Sequence, residues 1–155
     1  MKIRFLGYAS NSFSSVNTVS FLLYNEDDIM LIDCGPSITN NLHSVVDNFT
    51  SITSVYISHS HFDHFLGLPY FMIGRHLDVL AKRKKDADYC ARPLDIYIPS
   101  SLIEILQNLI KVCHKDIQKL SYDVNYHPLV EDDGIDFANS KIIPFAVNQI
   151  GRAHV

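Results

Sequence analysis

The sequence has no run of apolar residues approaching the roughly 18 that a membrane span needs, and its opening apolar stretch is too short for a signal peptide. It has only three cysteines, Cys34, Cys90 and Cys113, an odd number that cannot all pair and whose spacing is not that of a zinc knuckle. They read as reduced thiols, which points to a cytoplasmic protein. There is no excess of positive charge either. Thirteen Lys and Arg against seventeen Asp and Glu give a formal charge of −4, so no global basic field draws the chain to nucleic acid, and DNA is not an expected partner. Repeats and low-complexity linkers are also missing. What is there, 155 residues at 47% hydrophobic and 19% charged, is the length and composition of one globular domain, with a soluble intracellular enzyme as the default expectation.

Strand-like patterning dominates the first third. Lys2 to Gly7 reads as a strand, Tyr8 to Ser15 as a polar loop, and Val16 to Tyr24 as a second strand closed by the turn Asn25-Glu26-Asp27-Asp28. Ile29 to Cys34 is nearly all apolar and reads as a strand buried on both faces. Ser37 or Thr39 is placed to cap a helix running to about Phe49, with Leu42, Val45, Val46 and Phe49 on one face. A strand over residues 52 to 58 follows. A helix is expected from about Gly67 to Lys85, carrying Leu68, Phe71, Met72, Leu77 and Leu80. Leu94 to Ile98 reads as a strand ended by Pro99, and Ser101-x-x-Glu104 as a capping box opening a helix to about Leu120. Its stripe is Leu102, Ile105, Leu106, Leu109, Val112 and Cys113. Tyr122 to Leu129 and Lys141 to Val147 complete the strands, with a turn at Glu131-Asp132-Asp133-Gly134. Strands in a meander, then alternating with helices, predict a layered α/β fold.

One stretch departs from any core pattern. His59-Ser60-His61-Phe62-Asp63-His64 puts three imidazoles and a carboxylate within six residues, directly after a buried strand. His59 and His61 sit two apart, so in an extended segment both rings point the same way and can grip one ion. Asp63 and His64 follow where the chain turns and offer a second oxygen and nitrogen pair. A borderline divalent ion such as Zn²⁺ suits that mixture.

His-x-His-x-Asp-His after a strand, preceded by Leu31-Ile32-Asp33-Cys34-Gly35, resembles the metallo-β-lactamase superfamily. Phe65-Leu66-Gly67-Leu68-Pro69, Arg92 to Pro99 and the opening Met1 to Gly7 are similar to its ribonuclease Z branch. The resemblance runs to about Asn148. It implies the N-terminal half of a four-layer αββα sandwich and, in the complete protein, two Zn²⁺ ions activating a hydroxide for hydrolysis of a phosphodiester in RNA or a small molecule. It further implies that His59 and His61 hold the first metal, that Asp63 and His64 hold the second, and that Asp63 is also catalytic, taking the proton of the attacking water. Asp33 would not be a ligand but would orient the ligand loop through hydrogen bonds. A homodimer is the implied assembly. Ribonuclease Z proteins have a glycine-richer turn after the first strand and a glycine before the motif aspartate, where this chain has Tyr8-Ala9-Ser10 and Phe62. Other bonds for the same machinery are a thioester, lactam, lactone or cyclic nucleotide, and a non-catalytic metal-binding half-domain is the reading of a different class.

Several residues carry weaker expectations. Lys82-Arg83-Lys84-Lys85 reads as a solvated helix end rather than an RNA contact, and His43, His76, His114 and His127 as core or surface residues rather than ligands. Ile150-Gly151-Arg152-Ala153-His154-Val155 is what a widely used DNA sequencing adapter encodes in one frame. The expected division is therefore an incomplete domain over residues 1 to 148 and an adapter-derived stretch over 149 to 155. The implied family places a further histidine ligand at position 149, then an aspartate and a last histidine beyond it.

Overall fold

Two residues, Glu26 and Asp27, separate the first long strands. Glu26 takes a left-handed φ of 54°, and the chain reverses so that Asn25 pairs with Asp28. The computed structural model describes residues 1–9, 17–115 and 119–146. Strands β1 (Lys2–Gly7), β2 (Ser20–Asn25) and β3 (Asp28–Ile32) form an antiparallel meander. Strands β4 (Ser54–Tyr56), β5 (Leu94–Ile98) and β6 (Val124–Pro128) then extend the sheet in parallel, in the order β1-β2-β3-β4-β5-β6. The switch to parallel pairing requires crossovers, and helices supply them. These are α1 (Ile38–Leu42), the single turn α2 (Phe62–Phe65), α3 (Leu68–Lys85) and α4 (Ser100–Cys113).

Period-two alternation divides the sheet residues between two cores. Leu22, Leu31, Val55, Ile96 and Ile98 face the helices, where Ile38, Leu42, Phe49, Phe71, Met72 and Leu106 meet them. Leu23, Met30 and Ile32 face the other way and pack under a hairpin of β7 (Ile135–Phe137) and β8 (Ser140–Ile142) through Ile135 and Phe137. Asn25 fastens that hairpin: its amide nitrogen donates to the Phe137 carbonyl (3.2 Å), Asn139 Oδ1 (2.7 Å) and Ser140 Oγ (3.2 Å). The hairpin covers only part of this face. Ile3 and Phe5, which pair with Leu23 and Phe21, remain 50% and 71% exposed. The α/β architecture thus consists of a layer of helices, a sheet, and a hairpin on the sheet's second face.

Several expected elements shift. The helix expected to reach Phe49 ends at Leu42, because Ser44 turns back on Asn41 with both its backbone N–H (3.1 Å) and its hydroxyl (2.7 Å). Leu42, Val46 and Phe49 are buried all the same, Phe49 from a 3₁₀ turn over Phe49–Ser51. No side-chain capping box opens α4. The Pro99 carbonyl takes the Leu102 N–H at 2.9 Å, so the helix starts one residue before Ser101. Its buried stripe is Leu102, Leu106 and Ile110, while Ile105, Val112 and Cys113 are exposed. It ends at Cys113, and residues 116 to 118 of the expected longer helix lie outside the described residues. In α3, Leu77 and Leu80 point outward, and the inward stripe is Leu68, Phe71, Met72, Arg75, His76 and Val79. The last expected strand is shorter, covering Ser140–Ile142, and Val147 lies outside the described residues. The expected strand over residues 16 to 24 begins only at Ser20, and β7 is an additional short strand.

Arg75 is wholly buried. Its guanidinium donates to the carbonyls of Phe49 (2.9 Å), Ile52 (2.7 Å) and Arg92 (2.8 Å), with Nε unpaired and the Tyr122 ring 4.9 Å away. One side chain thereby ties the entries of β4 and β5 to α3. His76, next along, accepts the Ser121 N–H on Nδ1 at 2.9 Å. Burial, with Arg83 and His114 nearby, pushes its pKa below the ordinary range.

Two outcomes follow from this base. Arg75→Met leaves three carbonyls without their donor and is expected to lower unfolding stability by about 3 kcal/mol, read as a lower urea midpoint. An unchanged midpoint would mean that those carbonyls find other donors. His76 is held neutral when folded but titrates near 6.5 when unfolded, so the unfolded chain takes up the extra proton first. Its contribution is complete above about pH 6.5 and is lost as pH falls below it. His76→Asn keeps an acceptor but cannot titrate. Stability measured from pH 7 to 5 should fall less steeply in this variant than in the wild type, and equal slopes would count against it.

Candidate metal centre

Parallel strands β3 and β4 end side by side, and their exits build the site. Leaving β3, Asp33 adopts a left-handed φ of 57°, a conformation that costs a non-glycine residue energy and is tolerated best by Asp and Asn. Its N–H donates to the Tyr56 carbonyl (2.8 Å), and its own carbonyl accepts the Ser20 hydroxyl (2.7 Å). The side chain, in a residue only 5% exposed, reaches across to the exit of β4. There it accepts the Ser58 N–H (2.8 Å), the Ser58 hydroxyl (2.9 Å to each oxygen) and His64 Nδ1 (2.7 Å).

Backbone bonds close the same joint. Cys34 N–H donates to the His64 carbonyl (2.7 Å), and Gly67 N–H to the Cys34 carbonyl (2.8 Å). The approach is so tight that a Cβ on Gly67 would sit 2.1 Å from the Gly35 carbonyl oxygen. One on Gly35 would sit 2.1 Å from both the Asp63 carbonyl oxygen and Thr18 Oγ1. Only glycine fits at either position.

On this joint the motif folds as a short extended segment into one helical turn. His61 is the last extended residue (φ −67°, ψ 140°), and α2 carries Asp63 and His64 back beneath the loop. The four residues expected as ligands lie in a string of pairwise contacts. His59 Nε2 lies 3.1 Å from His61 Nδ1, the His59 and His64 rings are 4.1 Å apart, and His64 Nε2 is 3.6 Å from Asp63 Oδ2. Asp63 is buried, His59 and His64 are partly buried, and His61 is exposed. Burial, then the neighbouring His64 and His61, lowers the His59 pKa. The hydrogen bond to Asp33 raises that of His64, against its partial burial.

The donor set fits a zinc-like cation in kind. The nitrogens turned away from the cluster, Nδ1 of His59 and of His64, are occupied by Ser58 Oγ (2.9 Å) and Asp33, so both Nε2 atoms are turned towards the other donors. The set is not closed: among the described residues, no three His, Cys, Asp or Glu side chains surround one metal-sized position. Asp33 lies behind the motif, hydrogen-bonded to Ser58 and His64. Ser58 was read only as the end of a strand, and its signal, a hydroxyl immediately before the first histidine, is plain once the loop is seen.

The other candidates lie elsewhere. Lys82, half-buried, donates to Thr50 Oγ1 (2.6 Å), and Arg83, exposed, donates to the Tyr89 and Ser121 carbonyls (3.2 and 2.9 Å). They belong to the end of an 18-residue helix about 25 Å from its start beside the motif. His127 pairs with Asp95 (2.9 Å), and His43 packs on Phe49. Cys34 is buried, and its thiol pKa is driven up by that burial and by Asp33. Cys90 and Cys113 are free thiols at the surface. The Ser10 to Ser15 loop and position 149 lie outside the described residues.

Comparison with known proteins agrees with this geometry. The chain is 29% identical over 144 residues to ribonuclease Z of Lactobacillus gasseri, covering 90% of this chain and 42% of that protein. The crystal structure of human tRNase Z, short form, superposes with a TM-score of 0.68 at 26% identity, covering 83% of this chain and 45% of that one. The metallo-β-lactamase fold protein YhfI of Bacillus subtilis superposes with a TM-score of 0.61 at 18% identity, covering 90% and 49%. The chain therefore spans less than half the length of each of these three. The fold is that of the metallo-β-lactamases, as the motif implied, and the sequence relatives are of the ribonuclease Z type. A family model described as Anti-Pycsar protein Apyc1 matches residues 1–152, and with nearly its whole length so matched, the chain belongs to that family.

Proposed function

We propose that this chain is the metal-binding N-terminal part of a zinc-dependent phosphodiesterase. The observation that carries the reading is the convergence of His59, His61, Asp63 and His64 on a loop held from behind by Asp33. His59 and His61 would hold one Zn²⁺, and Asp63 and His64 a second. Bound there, the cation pair supplies a nucleophilic water at neutral pH and neutralises charge on a phosphodiester. The protein's own part is to hold and move protons. Asp63, a buried carboxylate beside His64 Nε2, takes the proton released at the attacking oxygen. Asp33 keeps His64 turned so that its Nε2 faces the cluster.

Each proposed pair supplies two of the four ligands a tetrahedral zinc takes, and the chain covers 42% of the Lactobacillus gasseri protein and 45% of the human one. We assign turnover to a longer protein that completes both positions, and zinc binding without turnover to this chain alone. The cytoplasm and a homodimeric parent belong to the same proposal. For substrate, RNA follows from the ribonuclease Z relatives. A small diester such as a cyclic nucleotide is the second reading. It is favoured by the formal charge of −4 and by the hydrogen bonds that tie Lys82 and Arg83 to the chain's own Thr50, Tyr89 and Ser121 at the far end of α3.

Zinc titration of the chain by calorimetry tests the core of this. The wild type should bind, and the His59→Ala/His61→Ala double variant should lose most of that binding. Equal isotherms would remove the motif from the site. In the longer protein, Asp63→Asn should reduce turnover of bis(p-nitrophenyl) phosphate by about 10²–10⁴-fold, the range for losing a general base. Comparing cleavage of a tRNA precursor with that of a cyclic nucleotide then decides between the two substrates.

A further inference from the structure

Ser58 stands between Asp33 and the first ligand. Its hydroxyl oxygen lies 2.9 Å from each Asp33 oxygen and 2.9 Å from His59 Nδ1. A serine hydroxyl has one proton to give, and an ionised carboxylate only accepts. The proton therefore goes to Asp33, whose oxygens also take the Ser58 N–H and His64 Nδ1. With its proton spent, Ser58 Oγ faces His59 Nδ1 as an acceptor, so that nitrogen must carry the hydrogen. The lone pair of His59 is then on Nε2, the atom 3.1 Å from His61 Nδ1 and directed into the cluster.

We infer that Ser58 is a positioning residue: it relays the Asp33 carboxylate to His59 and fixes the His59 ring with Nδ1 protonated and Nε2 free to bind a cation. One buried carboxylate would thus orient a ligand of each proposed metal position, His64 directly and His59 through Ser58. This rests on the metal reading given above. It goes beyond that reading by adding a residue outside the ligand motif and a defined protonation pattern. Ser58 is exposed, so water competes for its bonds and the effect should be moderate. The link holds because the backbone of Ser58 is itself fixed on Asp33.

The first readout needs no metal. Long-range proton–nitrogen NMR of the imidazoles at about pH 8, where histidine is largely neutral, reports which ring nitrogen carries the proton. Wild-type His59 should show Nδ1–H. In Ser58→Ala it should change to Nε2–H or a mixture, while His64, held by Asp33 itself, stays Nδ1–H. Wild-type His59 found as Nε2–H, or a pattern unmoved in Ser58→Ala, overturns the inference. A His64 pattern lost together with that of His59 also overturns it, since the loop would then have changed as a whole. The second readout is zinc affinity, expected to fall about 10-fold in Ser58→Ala and to be kept in Ser58→Thr, which restores a hydroxyl. If the wild type binds zinc and Ser58→Ala binds equally well, Ser58 has no such role and the metal reading survives. If the wild type takes up no zinc, the metal reading fails and the relay fails with it.

Discussion

The Asp33 carboxylate is the contact on which the site depends. Strand exits are irregular backbone, and left alone they would be mobile. Here two exits are joined by a charge-assisted set of bonds from a residue that is only 5% exposed. The left-handed φ of 57° is the strained element of the arrangement. It turns the carboxylate from the end of β3 across to Ser58 and His64 on the exit of β4. Backbone bonds from Cys34 and Gly67 and the close glycine contacts fix the same joint, so the cost of the strained residue is spread over many partners. Charge has its reason here too. An ionised carboxylate behind imidazoles raises the proton affinity of His64 and offers negative charge to any cation in front of it.

How much of this was legible in the sequence depends on whether a residue's role is local. The motif was legible because six consecutive residues contain it, and so was Asp33, which sits at the end of an apolar strand before Gly35. The sheet strands β1, β3 and β5 were legible from period and from their turn residues. Ser58 was not, because a serine at a strand end is unremarkable until its neighbour across the sheet is known. Arg75 was missed for the opposite reason. It occupies a position of the α3 stripe that periodicity assigns to the core, but polarity argues it away, and Leu77 and Leu80 were taken instead. Three carbonyl acceptors supplied by distant chain segments make a buried guanidinium acceptable, and no local pattern announces them. Helix ends were the least legible, since Ser44 and Pro99 act through one or two local hydrogen bonds.

Sheet topology explains why the site is where it is. The antiparallel meander carries no donors. Parallel pairing begins at β3 and β4, and the ligand loop emerges at that junction, from the carboxyl ends of the strands. The opposite end of the sheet holds the structural polar groups: Arg75 under the entries of β4 and β5, and Asn25 under the hairpin. Stability and chemistry are thus placed at opposite ends of the same strands. A loss at the Arg75 end reaches the motif only through the folding of the whole sheet, whereas a loss at Asp33 or Ser58 removes hydrogen bonds made to His64 and His59 themselves.

The longest basic run of the chain also lies away from the motif. A polyanionic RNA needs several cations spaced along its backbone near the reacting bond. The densest basic stretch, Lys82 to Lys85, lies at the far end of α3, and its first two members are spent on internal bonds. Beside the motif in sequence, Phe62, Leu66 and Tyr70 are exposed at 49%, 45% and 64%. The separation follows from the helix itself: eighteen residues at about 1.5 Å each carry the run roughly 25 Å from the residues that follow the motif.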